Sequence, residues 1–145
     1  MSPFAIAAPR YRRAARVSIA PADGVFQLSA VTRIHVAKGD VEARDVATHL
    51  ATLIQRSRGF KPVVVEGAPA TGVAAIVLTR EGPAGEAYKL DIGPGGATIA
   101  AAKRAGLFYG AMSLWQAATP DEAKGPVAIP AAAIEDAPRF AWRGL

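Results

Sequence analysis

The chain has no cysteine. That excludes disulfides, thiolate metal sites and a cysteine nucleophile, and it leaves the compartment open. Histidine is nearly as scarce: there are two, His35 and His49. Long apolar runs are also missing. The longest stretches are broken by Lys103–Arg104 or by proline, and a membrane span needs about 20 apolar residues. An intact signal peptide is missing too. The opening MSPFAIAAPRYRR has no basic first region, and its apolar run Phe4–Ala8 is shorter than the roughly 7–15 residues such a signal needs. No compartment follows from this.

Acid is absent from the first sixteen residues, which hold Arg10, Arg12, Arg13 and Arg16. Those four account for most of the +5 net charge, so the rest of the chain is close to neutral and carries no basic stripe. A nucleic-acid partner is therefore not expected. Residues 1–16 read as a flexible basic arm, since disorder concentrates at chain ends.

What is present suits one globular domain. The chain has 145 residues, is rich in alanine, and contains 14 Gly and 11 Pro. A domain of this size buries roughly 70% of the surface of its unfolded chain. Val17–Ala20 and Val25–Leu28 read as short strands around the turn Pro21–Gly24. Thr32–Val36 alternates like a half-buried strand. Asp40 is placed to cap a helix whose apolar residues Ala43, Val46, Ala47, Leu50, Leu53 and Ile54 recur at helical spacing, and Gly59 closes it. Pro62–Glu66 and Ala74–Thr79 are β-branched strands. Tyr88–Ile92 and Ala97–Ala101 flank the hairpin sequence GPGG. Lys103–Ala118 is a second helix, stopped by Pro120, and Ala128–Ile134 is a further strand. Asp136 and Pro138 suggest a turn, and Phe140–Leu145 the opening of another strand. The order implies an α+β fold: a mixed or mainly antiparallel sheet with two helices packed on one face.

No complete catalytic constellation emerges. In GPGGAT a strand follows the glycines, where a dinucleotide fingerprint needs a third glycine and a helix. Asp45 and His49 lie one helical turn apart without a third ligand, so no metal site is expected; no cofactor is expected either. His35 falls on a polar strand face. Glu135 and Asp136 are adjacent, so in a strand they point to opposite faces. They cannot flank one bond at the roughly 5–9.5 Å that paired glycosidase carboxylates require. The second helix is unusual in another way. Leu107, Phe108, Tyr109, Met112, Leu114, Trp115, Ala117 and Ala118 spread round its whole circumference, and a helix apolar all round is buried all round. A sheet covers one side; the other side is expected to need a further partner. Alone, the domain is expected to self-associate through that face, or through Phe140–Leu145 adding to a sheet edge.

AGLFYGAMSLWQ, then an Ile-Pro strand, then IEDAPRFAWRGL resembles the N-terminal, domain 2 type region of glycoside hydrolase family 20, the β-N-acetylhexosaminidases. The matching residues are Gly106, Phe108, Tyr109, Gly110, Leu114, Gln116, Pro130, Ile134, Asp136, Pro138, Arg139, Phe140, Trp142, Arg143 and Gly144. EAYKLDI followed by ATIAA resembles the family's tyrosine-containing hairpin.

The resemblance implies that residues 17–138 form the α+β domain and that 139–145 begin the first strand of a (β/α)₈ barrel missing from this chain. In the family the barrel is the domain's partner. It performs retaining, substrate-assisted hydrolysis of terminal N-acetylglucosamine or N-acetylgalactosamine, so glycans ending in these sugars are the substrates of the full enzyme. The catalytic Asp–Glu pair lies beyond Leu145; no residue of this chain is expected to be catalytic, and the chain is expected to be inactive alone. Arg143 matches an arginine that binds hydroxyls of the sugar in the −1 subsite. Family members are often periplasmic or secreted. Two other readings stand beside this one: the equivalent domain of another glycosidase family, and an autonomous module that binds protein or carbohydrate.

Overall fold

A computed structural model of the chain describes residues 15–138. Helix α1 (Val41–Arg58) begins where Asp40 accepts a hydrogen bond from the Ala43 amide at 3.1 Å. It ends where Gly59 takes φ 89° and its amide bonds to the Gln55 carbonyl, a left-handed closure that glycine makes without strain. Its buried residues Ala43, Val46, Ala47, Leu50 and Ile54 form one stripe. Helix α2 (Arg104–Ala117) has a different character. Among its residues only Arg104 is charged, and its N-terminus has no side-chain cap.

The strands are β1 (Ala15–Leu28), β2 (Arg33–Val36), β3 (Val63–Glu66), β4 (Ala75–Thr79), β5 (Tyr88–Gly93), β6 (Gly96–Ala100) and β7 (Val127–Pro138). They form one sheet in the order β1-β7-β5-β6-β4-β2-β3. Pairings from β1 to β6 are antiparallel, and those from β6 to β3 are parallel. The sheet is thus evenly mixed rather than mainly antiparallel. The parallel pairing of β2 with β3 arises because α1 carries the chain from β2 back to the same end of the sheet before β3 begins.

Both helices lie on one face, α1 over β2, β3 and β4, α2 over β5 and β6, and they pack against each other. The core sits between them and the sheet and includes Phe26, Leu28, Ile34, Ile76, Leu90 and Ile99, all fully buried. The alternate positions Gln27, Arg33, Lys89, Asp91 and Glu135 are exposed on the other face.

Two sequence expectations are corrected at the sheet's first edge. Val17–Ala20 and Val25–Leu28 belong to a single strand, β1, which also starts earlier and includes Ala15 and Arg16. The expected turn is a bulge: pairing with β7 jumps between Pro21 and Val25, and Gly24 at φ 97° lets the backbone turn there. The expected turn at Asp136–Pro138 is likewise strand. Asp136 pairs with Val17 on one side and Tyr88 on the other. A ladder on both sides outweighs the local turn preference of Asp and Pro.

Candidate functional site

The small sites considered from the sequence resolve into structure. The GPGG segment is a tight hairpin in which Gly93 pairs with Gly96. Asp45 and His49 are both exposed on α1, and no group of three metal-ligating side chains occurs among the described residues. The His35 ring Nδ1 lies 2.9 Å from the Gly67 carbonyl oxygen. Glu135 and Asp136 point to opposite faces: Glu135 is exposed, 4.0 Å from Lys89 Nζ, and Asp136 is buried. An open cleft of about 660 Å³ at the ends of β5 and β7 is lined by Ser18, Tyr88, Lys89 and Glu135, among others. Arg143, the Arg10–Arg13 cluster and Phe140–Leu145 lie outside the described residues.

The distinctive surface is α2. Its sheet-facing side approaches the strands closely. A Cβ on Gly106 would lie 2.4 Å from the Ala87 carbonyl oxygen, and one on Gly110 would lie 2.5 Å from Ile99 Cγ2. These glycines let Leu107, Ala111 and Leu114 sink into the core. One flank of α2 is covered by α1: the Phe108 ring sits 5.7 Å from that of His49, and Trp115 Nε1 donates to Ser57 Oγ at 3.0 Å. The expectation that everything beyond the sheet-facing side needs a partner outside the chain is corrected here, because α1 covers Phe108 and Trp115. Among the described residues, the large apolar side chains that are well exposed, Val25, Val31, Val41, Val63 and Val73, all lie elsewhere. What remains of α2 is an outer stripe of Ala105, Tyr109, Met112 and Gln116, each half-buried.

Two arginines fix the helices that present this stripe. Arg80, just past β4, donates to both carboxylate oxygens of Asp40 at 2.8 and 3.1 Å, to Glu42 at 2.9 Å and to the Ala102 carbonyl at 2.9 Å. It ties the start of α1 to the segment leading into α2. The hydrogen bond from Arg80 holds the Asp40 carboxyl below its usual range, and Asp40 in turn raises Arg80. Arg58, in the last turn of α1, is only 3% exposed. It donates to Asp121, to the Gly125 carbonyl and to the Pro126 carbonyl at 3.0–3.2 Å. Lys124 Nζ returns to the carbonyls of Arg56 and Ser57. Asp121 is held below its usual range by the Ala123 amide first and Arg58 second. Sequence reasoning missed both arginines. Arg58 looks like an ordinary cation at a helix C-terminus, and nothing local signals its burial.

Residues 16–137 match the family profile described as "Glycosyl hydrolase family 20, domain 2". The chain is 37% identical over 125 residues to a beta-N-acetylhexosaminidase of Cellulomonas fimi, covering 83% of this chain and 24% of that protein. Two solved structures share the fold at 37% identity. The family 20 beta-N-acetylhexosaminidase of Streptomyces coelicolor matches with a TM-score of 0.69 over 87% of this chain and 26% of its own. The N-acetyl-beta-hexosaminidase of Streptomyces plicatus matches with a TM-score of 0.71 over 86% and 26%. The class is therefore a domain of glycoside hydrolases. The chain belongs to glycoside hydrolase family 20, the β-N-acetylhexosaminidases, and corresponds to that family's N-terminal domain 2. It spans about a quarter of the length of these relatives.

Proposed function

We propose that the chain is the accessory N-terminal domain of a β-N-acetylhexosaminidase, packed against a catalytic (β/α)₈ barrel and not catalytic alone. The observation that carries this reading is the domain 2 match along 16–137, together with a span of only 24–26% of the relatives' length. In the complete enzyme the barrel hydrolyses terminal N-acetylglucosamine or N-acetylgalactosamine with retention. The substrate's acetamido oxygen acts as nucleophile, one of the exceptions to the two-carboxylate scheme.

The acids of the described domain support a structural rather than a catalytic role. Asp40 and Asp121 serve arginines, and Asp136 is buried. Arg143 is the residue assigned to substrate: its fork of donors suits adjacent sugar hydroxyls, and it acts only once the barrel is assembled around it. Reading the coding sequence onward from Leu145 tests the proposal. An in-frame continuation carrying an adjacent Asp–Glu pair is expected; a natural stop codon after Leu145 would favour an autonomous interaction module instead.

A further inference from the structure

The sheet changes character halfway across. Strands β6, β4, β2 and β3 are parallel neighbours, and parallel strands are almost always covered on both faces. Here both helices lie on one face, and among the described residues no helix or strand is packed over the other. The register defines what that open face carries. Val65, His35, Val77, Thr98, Asp91 and Ala133 stand side by side in one row from β3 to β7. In the middle, β4 and β6 contribute Val77, Thr79 and Thr98, all half-buried and uncharged. On one side of them β2 contributes Arg33 and His35; on the other β5 and β7 contribute Lys89, Asp91 and Glu135. Lys89 and Glu135 lie 4.0 Å apart and offset each other, so Asp91 is the charge left over. Among the described residues, neither Arg33 nor Asp91 has an ion-pair partner.

We propose that this open face is a dimer surface, and that its occupant is the same face of a second copy of the chain. A two-fold contact must be self-complementary, and this face is. With the axis running along the strands between β4 and β6, β2 of one copy lies over β5 of the other. Val77 then meets Thr98, and Arg33 and His35 come over Asp91, once on each side of the axis. Aligned sheets pack about 10 Å apart with their strands at roughly 30°, a spacing that Val and Thr side chains fill. The row crosses six strands, or roughly 24 Å at about 4.8 Å per strand. With strands of about five residues the footprint is on the order of 400 Å² per copy, about half of what a standard interface buries. The dimer is therefore weak and depends on concentration. The inference does not rest on the function proposed above.

Sedimentation of the 145-residue chain across a concentration series tests it. Reversible dimerisation is expected. Asp91→Arg should weaken it about tenfold or more, because like charges then face each other across the contact. Arg33→Asp in the same chain as Asp91→Arg should restore it, since the exchange rebuilds the pair with its signs reversed. Thr48→Lys, on the exposed side of α1, should leave association unchanged. A second measurement is independent of these charges. The chain has no cysteine, so Val77→Cys supplies a single thiol near the axis. A bismaleimide of about 10 Å reach, the distance between packed sheets, should join two copies through it and should not join Thr48→Cys chains at the same concentration. A chain that stays monomeric throughout overturns the proposal. So does association that Asp91→Arg leaves intact, which would place the contact elsewhere, or association that the double exchange fails to restore. Protection of the Val77→Cys thiol only in a longer polypeptide, without cross-linking between copies, would overturn it too and assign the cover to another segment of that polypeptide.

Discussion

Arg58 shows how one side chain can matter more than its ion pair suggests. Its guanidinium is buried, whereas the Asp121 side chain is 62% exposed. Water can therefore replace Arg58 around Asp121, but it cannot easily reach the carbonyls of Gly125 and Pro126. Arg58→Met is expected to destabilise the domain by about 2–3 kcal/mol, the cost of leaving buried acceptors unpaired. Asp121→Ala should barely move the urea midpoint, because an exposed partner contributes little. Equal losses for the two variants would show that the ion pair, not the carbonyl contacts, carries the effect. None of this was legible in the sequence. The acceptors are backbone atoms 67 and 68 residues away, and residue type at position 58 says nothing about them. Asp40 was legible as a cap, because its role is local. Its second role, receiving Arg80 from the end of β4 forty residues on, was not.

At the scale of elements, α2 depends on having almost no width on one side. Gly106 and Gly110 stand one turn apart where the helix crosses β5 and β6. In an isolated helix alanine would be better than glycine by about 1 kcal/mol. Here Gly110→Ala is expected to lower stability nonetheless, since overpacking costs about 1–3 kcal/mol. Gly106→Ala should lower it more: its nearest neighbour is a backbone carbonyl, which cannot turn aside as Ile99 can. Thermal unfolding of both variants decides this, and a rise in midpoint for either would mean the helix lies further from the sheet. Helix α1 was readable from its periodicity and caps, and α2 from its apolar run ended by Pro120. β1 and β7 were read less well, because their lengths are set by each other. Residues with turn preferences, Pro21 and Asp136 through Pro138, are held in strand by pairing that only the assembled sheet provides.

For the whole molecule, the α+β class and the two helices on one face followed from the order of periodic segments. The strand order did not, since β7 inserts between β1 and β5 after the whole chain has been laid down. The uneven surface of α2 was foreshadowed by its all-round apolar sequence, although α1 covers more of it than that pattern implied. The link to sugar chemistry came from motifs rather than from any acid or base in the described domain, as befits a domain whose proposed role is to support a catalytic neighbour. The most direct measurement is hydrolysis of a chromogenic N-acetyl-β-glucosaminide by the 145-residue chain and by the longer polypeptide containing it. The account predicts turnover by the longer polypeptide and none by the 145-residue chain, because the proposed function assigns the acid and the orienting carboxylate that such catalysis needs to the barrel. Turnover by the 145-residue chain that survives repurification, and is lost on substituting one of its own residues, would contradict it.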